Sequence, residues 1–316
     1  MSTIQLFMVG ALATLLGSSA IIWLGLLARY RCNTELLRTE PRSLVPWRGT
    51  HVAVAFFLYV VLPVIAVVIV QQRFDIPWEE DGFDNNPSVV AWILGGDSLL
   101  KFVAAALTIT FLRIDLKATL SDLGFRANRI KSDLVCGLIA FAAIAPVVYL
   151  IQFVLKTVYN KLVEEEAAHP IETFIRNNPT PSIIFWCFFS VVIVAPFVEE
   201  FLFRVVLQGW LEKAYYRTRV LLTTQLSQQE PRPGTVIAAE VPPPFMWQPI
   251  IISSLTFSLL HLGHGPDPIP LFVLALVLGY LYAKTHRILP CIVVHMALNG
   301  FSMLSILIGM SEGAGL

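Results

Sequence analysis

Eight long apolar runs, separated by short charged segments, dominate this sequence. They lie at about residues 4–28, 52–71, 89–112, 134–155, 182–211, 249–264, 270–284 and 288–310. A helix needs about 20 mostly apolar residues to cross the hydrocarbon core of a bilayer. Because lipid offers no partner to unpaired backbone groups, each run is expected to be helical. The sequence therefore predicts an all-α polytopic membrane protein with about eight transmembrane helices.

Composition agrees with this prediction. Hydrophobic residues make up 56% of the 316 residues, charged residues make up 14%, and the mean hydropathy is +0.71. A soluble domain of this length carries about a quarter charged residues. The sixth and seventh runs are the shortest, and residues 264–268, which contain Gly and Pro, separate them. A broken or re-entrant helix fits these two runs as well as two complete spans do.

Basic residues concentrate in the odd-numbered connectors between the runs, whereas the second and fourth connectors are mainly acidic. The basic residues include Arg29, Arg38, Arg48, Arg113, Arg126, Lys213, Arg217, Lys284 and Arg287. Connectors rich in Lys and Arg usually face the cytoplasm. An even number of spans then places both termini outside. Since no organelle-targeting segment is recognisable, the expected location is a bacterial cell (inner) membrane.

The chain divides at about residue 120 into two parts. Residues 1–120 contain three apolar runs, and residues 121–316 contain the other five together with the polar stretch 212–248. That stretch is rich in Gln and Pro, which predicts a cytoplasmic loop. The formal net charge is zero. Since no basic cluster with interleaved aromatic residues accompanies it, no nucleic-acid partner is expected.

Three of the apolar runs contain ionisable or amide side chains at regular spacings. These are Glu199, Glu200 and Arg204 in the fifth run, His261 in the sixth, and His295 and Asn299 in the eighth. An ionisable group in a membrane span costs about 2.5–3.5 kcal/mol on insertion scales, so it is a functional candidate. Taken singly, a Glu–Arg pair is often structural, and a membrane histidine is as often a helix–helix hydrogen bond. Their occurrence together, at compatible depths, favours a common site.

Helix spacing separates the two glutamates. Glu200 and Arg204 are four residues apart, so they lie on one face and can pair. Glu199 is rotated by about 100° from Glu200. It has no local charged partner and is left to act elsewhere. His295 and Asn299 share a face of their own helix.

This set of groups suits peptide hydrolysis. Glu199 would deprotonate a water molecule, and His261 would orient that water or bind a metal. His295 and Asn299 would stabilise the oxyanion of the tetrahedral intermediate.

The same residues resemble the motifs of the CAAX protease and bacteriocin-processing family, which is related to the type II CAAX prenyl endopeptidase. That family carries EExxxR, FxxxH and HxxxN on successive core helices. The matching residues, in the same order, are Glu199-Glu200…Arg204, Phe257…His261 and His295…Asn299. The resemblance covers about residues 120–305 and leaves the first three runs outside. One departure is Val205, where the family often has Gly.

The resemblance implies an intramembrane endopeptidase that acts on a peptide or protein substrate at the lipid bilayer. It makes Glu199 the general base, gives His261, His295 and Asn299 the roles described above, and assigns the Glu200–Arg204 pair to structural support. The family is usually described as metallopeptidases, so Glu199, His261 and His295 are candidate ligands of a divalent metal such as zinc, with an open position for water. Glu199 cannot readily be both ligand and base, so the sequence leaves metal dependence open.

Two other functions are compatible with these patterns. A catalytically silent membrane scaffold or chaperone would keep the polar cluster for folding and partner binding, since membership of a fold does not establish activity. A transporter would also carry buried charges and interrupted helices, although no paired half-chain symmetry is visible. The sequence does not choose a substrate, because CAAX-type prenylated proteins and other membrane-associated peptides both fit.

Overall fold

The computed structural model describes residues 3–41, 44–74, 87–163, 170–177, 179–226, 245–263 and 265–313. Within these ranges all regular structure is helical, which confirms the all-α class. The helices are α1 (Thr3–Arg31), α2 (Gly49–Phe74), α3 (Pro87–Leu116), α4 (Ile130–Val163), α5 (Pro170–Asn177), α6 (Pro181–Phe188), α7 (Ala195–Glu200), α8 (Gly209–Leu226), α9 (Trp247–Leu259), α10 (Pro268–Thr285) and α11 (Leu289–Gly313). A short 3₁₀ turn, Ala127–Arg129, precedes α4.

The chain is an integral membrane protein. Among the described residues, six helical segments are long and apolar enough to cross a bilayer: Val9–Arg31, Gly49–Phe74, Ala127–Val163, Pro181–Thr223, Pro268–Thr285 and Leu289–Met310. The other two predicted runs are also helical. Helix α3 carries an Asp97–Lys101 ion pair of 2.8 Å, and α9 has 13 residues. At 1.5 Å per residue, α9 is only about 20 Å long, and it stops inside the predicted sixth span.

One continuous helical segment, Pro181–Thr223, forms the centre of the fold. It consists of α6, α7 and α8, joined by two wider π-helical segments, Phe189–Val194 and Phe201–Gln208. Every residue of the second π segment is buried. Such widened turns leave backbone carbonyls to other partners and often occur at functional sites. Here they flank the two glutamates of α7.

The other helices surround this segment and share its core. Helix α2 packs against α3, α9 packs against α10, and α4 packs against α1, α10 and α11. Side chains from α2, such as Val52 and Ala55, join one hydrophobic cluster with Phe203 and Leu207 of the second π segment. The N-terminal helices are thus part of the packing around the predicted site.

The predicted boundary of the loop at 212–248 was wrong on its N-terminal side. Residues 212–226 are helical, because α8 continues to Leu226. Between Gly209 and Leu226 no proline or further glycine interrupts the helix, and Lys213 Nζ donates to the carbonyl oxygens of Pro46 and Trp47 at 2.9 and 2.8 Å. The Pro-rich part, 227–244, lies outside the described residues. So do the acidic residues between Asp75 and Asp84, Glu164 to Glu166, and His264.

The odd-numbered connectors meet at one end of the helix bundle. Glu40 of the first connector pairs with Arg126 of the third at 3.0 Å and with Arg287 of the seventh at 2.8 Å. Lys213, at the start of the fifth, reaches the end of the first. This end is called the basic face below. Two helical runs separate each odd-numbered connector from the next, so a chain that crosses in alternate directions returns these connectors to the same end.

Candidate active site

Four of the predicted site residues come together inside the helix bundle. Glu199 and Glu200 end α7, Arg204 lies in the second π segment, and His295 lies in the second turn of α11. Glu200 and Arg204 are fully buried, and Glu199 and His295 are nearly so. Charges buried to this extent are stable only when they are paired and hydrogen-bonded.

The Glu200 carboxylate is the centre of this group. Its Oε2 accepts a hydrogen bond from Arg204 Nε at 2.9 Å, so the predicted pairing is present. Its Oε1 lies 3.0 Å from Nδ1 of His295. Because a carboxylate accepts and does not donate, this contact places a proton on Nδ1. Glu200 therefore fixes the orientation of the His295 ring and directs Nε2 toward the other glutamate.

Arg204 also connects the central segment to α9. Its Nη1 donates to the Ser253 hydroxyl at 3.4 Å, and Ser253 Oγ donates to the Phe203 carbonyl at 2.8 Å. The guanidinium lies over the Phe257 ring, 5.6 Å from its centroid. A cation over an aromatic face is stabilised by the ring quadrupole. Together these contacts hold α9, and with it the FxxxH motif, against the ion pair.

Glu199 is directed to a different side and has a partner that the sequence did not reveal. Tyr59 Oη, from α2, donates to Glu199 Oε1 at 3.4 Å. Glu199 Oε2 lies 4.0 Å from Nε2 of His295. Tyr59 belongs to an apolar run outside the three motifs. Its hydroxyl within a predicted span was the only signal for it, and nothing linked that hydroxyl to Glu199.

His261 lies beyond the helix on which it was predicted. Helix α9 ends at Leu259, and residues 260–263 form a turn. The Nδ1 atom of His261 is 3.0 Å from the Phe257 carbonyl oxygen, which can only accept, so Nδ1 carries the proton. The Phe257 ring lies 4.9 Å from the His261 ring and 6.0 Å from the His295 ring. Phe257 thus packs against both histidines of the predicted site.

Asn299 lies one turn beyond His295 and is held by the first π segment. Its Nδ2 donates to the Val191 carbonyl at 2.9 Å. In this segment the Ala195 N–H bonds five residues back, to Ser190. The next donor in that pattern would reach Val191, but it is Pro196, which has no N–H. Asn299 therefore satisfies the Val191 carbonyl oxygen, to which Pro196 cannot donate.

The candidate metal ligands Glu199, His261 and His295 do not lie together as a three-residue group in the described part of the chain. In the part of the chain that the structure describes, which excludes His264, no group of three or more His, Cys, Asp and Glu side chains is arranged to hold a metal ion. Both histidines place their Nδ1 proton on an oxygen acceptor.

Comparison with known proteins gives a family match within the chain. Residues 181–301 match the sequence model of the family described as Rce1-like, type II CAAX prenyl endopeptidase Rce1-like. The Rce1-like match includes all six predicted site residues and Phe257, whereas Tyr59 lies outside it. It supports a membrane protease of the CAAX type in general terms. No curated protein and no solved structure matches the chain.

Proposed function

We propose that the chain is an intramembrane endopeptidase in which Glu199 activates water for attack on a peptide bond. The observation that carries this proposal is the 4.0 Å gap between Glu199 Oε2 and His295 Nε2, above a fully buried Glu200–Arg204 pair. A water oxygen about 2.8 Å from each atom fits this gap with an angle of about 90°. That water would have an acceptor on one side and a ring nitrogen on the other.

The proposed reaction uses these groups in order. Glu199 Oε2 removes a proton from water, and the water oxygen bonds to the carbonyl carbon of the substrate. The carbonyl oxygen becomes an oxyanion, stabilised by hydrogen bonds from the ring of His295 and the amide of Asn299. Glu199 then gives its proton to the amide nitrogen, the C–N bond breaks, and the products are a carboxylic acid and an amine.

The charge balance of the buried cluster fits this role for His295. With Nδ1 already protonated, a donor to the oxyanion needs a second proton on Nε2. The imidazolium and Arg204 would then balance the two carboxylates of Glu199 and Glu200. A neutral cluster costs less to bury in a membrane than a charged one. Glu200 is placed to stabilise that imidazolium through Nδ1.

Two further residues would position the reacting groups. Tyr59 holds Oε1 of Glu199 and so leaves Oε2 for the water. His261 carries its proton on Nδ1, which makes Nε2 a hydrogen-bond acceptor for water or substrate. Metal binding by His261 is a second proposed role, which chelation tests.

The proposed substrate is a CAAX-type prenylated peptide or another membrane-associated peptide. The Rce1-like match supports this class. We also propose that the basic face is cytoplasmic and that both termini are outside, in a bacterial inner membrane, because Lys and Arg concentrate on that face.

The test is a cleavage assay in detergent with a farnesylated CAAX-type peptide and a panel of unmodified membrane peptides. Wild type is compared with Glu199→Gln and His261→Ala, each with and without a chelator. Glu212→Gln is the matched control, because it is a buried glutamate of the same helical segment outside the site.

Cleavage by wild type and Glu212→Gln that the other two variants lose supports the protease, and sensitivity to the chelator supports the metal. Equal cleavage by all variants would mean that these residues do not carry the reaction. No cleavage of any peptide by the folded protein would favour the scaffold.

A further inference from the structure

Three basic residues come together on the basic face. Arg48 lies directly before α2, and Lys213 and Arg217 lie one turn apart on α8. These three residues are called the basic cluster below. Lys213 Nζ donates to the carbonyl oxygens of Pro46 and Trp47, which places its ammonium group beside the backbone that leads into Arg48. The cluster therefore depends on a contact between two segments that are distant along the chain.

The charges of the basic cluster have the same sign. Lys213 and Arg217 are four residues apart on α8, and like charges at this spacing repel each other. Arg217 and Arg48 are the charged groups that act on Lys213. Elsewhere on the basic face Arg287 pairs with Glu40 at 2.8 Å, whereas neither arginine of the cluster forms an ion pair among the described contacts. Positive charge therefore accumulates here without a carboxylate partner in the part of the chain that the structure describes.

Packing fixes the cluster in place. Trp47, which directly precedes Arg48, is fully buried, and its Nε1 donates to the Val206 carbonyl of the second π segment at 2.9 Å. Lys213 is only 7% exposed, and its ammonium group is held by two backbone carbonyls. Because the backbone at Arg48 and the Lys213 ammonium cannot readily move apart, their repulsion persists in the folded protein. An anion bound between these cations would lower it.

The cluster lies at the depth of the lipid headgroups. Arg48 directly precedes the membrane span Gly49–Phe74. A Cβ on Gly49 would lie 3.1 Å from the Trp210 ring, so Trp210 is level with the start of that span. Lys213 is three residues past Trp210, which is about 5 Å further along the helix. Tryptophan and basic residues are both typical of the membrane–water interface, where the phosphates of lipid headgroups are the most abundant anions.

Apolar side chains on the exposed side of α2 continue below the cluster. Phe57 is 63% exposed and Val60 is 55% exposed. Around the helix axis Val60 is rotated by only about 20° from Gly49, so it lies on the side of α2 that meets Trp210. The charges and the carbon surface therefore follow one another along α2, in the same order as the headgroup and the acyl chains of a lipid.

We propose that the basic cluster binds the phosphate of an anionic phospholipid whose acyl chains lie along the exposed side of α2. Arg48 and Arg217 are exposed, so their guanidinium groups are available for charge-assisted hydrogen bonds to the phosphate oxygens. Basic clusters that directly flank a membrane span on its cytoplasmic side are typical of sites for anionic lipids. The inference is independent of the proposed function, because the cluster contains none of the proposed site residues.

The test measures the binding of a fluorescent phosphatidylglycerol to the purified full chain in micelles of an uncharged detergent. Arg48→Gln/Arg217→Gln removes two exposed charges of the cluster. Arg129→Gln/Lys131→Gln is the matched control, because it removes two exposed charges at the start of α4, which packs against α1, α10 and α11. One basic residue changes the affinity for an anionic lipid surface about fivefold. We therefore expect the Kd to rise about thirtyfold in the cluster variant and less than about twofold in the control.

The second measurement compares three unlabelled competitors of the fluorescent lipid at constant ionic strength. Phosphatidylglycerol should displace it, whereas phosphatidylcholine, whose choline cancels the phosphate charge, and inorganic phosphate, which has no acyl chains, should not. Arg217→Gln alone repeats the binding measurement in case the double variant folds poorly, and its Kd should rise about fivefold.

Three outcomes would overturn the lipid site. An equal rise of the Kd in both double variants would show that only the total charge of the basic face matters. Displacement of the fluorescent lipid by inorganic phosphate would assign the cluster to a soluble anion. Equal displacement by phosphatidylcholine would show that the charge of the headgroup is not recognised. None of these results bears on peptide cleavage, so the lipid site and the proposed function stand or fall separately.

Discussion

Glu200 and Arg204 form an ion pair whose side chains have no exposed surface. Replacing one of the two residues by an uncharged one tests whether the pair supports the site. Arg204→Met would leave the Glu200 carboxylate buried with His295 as its remaining ionisable partner. Breaking a buried ion pair from one side costs about 3–5 kcal/mol. At about 2–4 °C per kcal/mol for a chain of this size, the apparent Tm should fall by about 6–20 °C. Glu200→Gln should have a similar effect, because it leaves Arg204 unpaired.

The double variant Glu200→Gln/Arg204→Met separates pairing from packing. It has no uncompensated charge, so its apparent Tm should fall no further than that of either single variant. The assay is the fraction of monodisperse protein that remains in detergent after heating. Additive losses in the double variant would show that the two charges are not coupled, and this would refute the reasoning.

An exposed pair of the same type provides the control. Glu172 and Arg176 on α5 are also four residues apart, with a contact of 2.7 Å, but the Arg176 side chain is 58% exposed. Solvent screens such a pair, and it contributes about 0.5 kcal/mol or less. Glu172→Gln and Arg176→Met should therefore leave the apparent Tm almost unchanged. The contrast between the two pairs isolates burial as the cause.

Three other predictions follow from single contacts. Tyr59→Phe removes the long hydrogen bond to Glu199 Oε1. Because such a bond contributes about 0.5–1.5 kcal/mol, kcat for the cleaved peptide should fall about 2–12-fold with KM unchanged. A change in KM alone would contradict a positioning role. Gly137→Ala should lower the apparent Tm, because the new Cβ would lie 2.9 Å from the Pro290 carbonyl oxygen and overpacking costs about 1–3 kcal/mol. Gly10→Ala is the control and should not lower the apparent Tm, because a Cβ at Gly10 would have nothing within 4 Å. In a Cys136→Ala background, an impermeant thiol reagent should modify Cys32 in inverted membrane vesicles and not in intact cells. Labelling of Cys32 in intact cells would contradict the proposed cytoplasmic position of the basic face.

The sequence predicted the features that depend on short spacing along one helix. The helical class follows from the length of the apolar runs, and the Glu200–Arg204 pairing follows from a separation of four residues. Both are present. Boundaries were less predictable, because polar composition alone does not end a helix. Residues 212–226 contain no helix breaker, so α8 continues past the point where the apolar run stops.

Contacts between distant segments were beyond the sequence. Tyr59 is 140 residues from Glu199 along the chain, and a tyrosine in an apolar run has no spacing that would reveal a partner. The position of His261 in a turn was equally hidden, since the apolar pattern continues to Leu262 although α9 ends at Leu259. What decides these features is the packing of α2 and α9 against the central segment.

The width of the central segment connects its local sequence to its chemistry. Pro196 removes one backbone donor, and the π segment before it leaves the Val191 carbonyl to the side chain of Asn299. That bond fixes α11 against the central segment one turn beyond His295. Because His295 is also held by Glu200, its ring is fixed from both helices, and its Nε2 lies opposite Glu199. The geometry proposed to activate water therefore depends on a proline and an amide that do not themselves touch Glu199 in the described contacts.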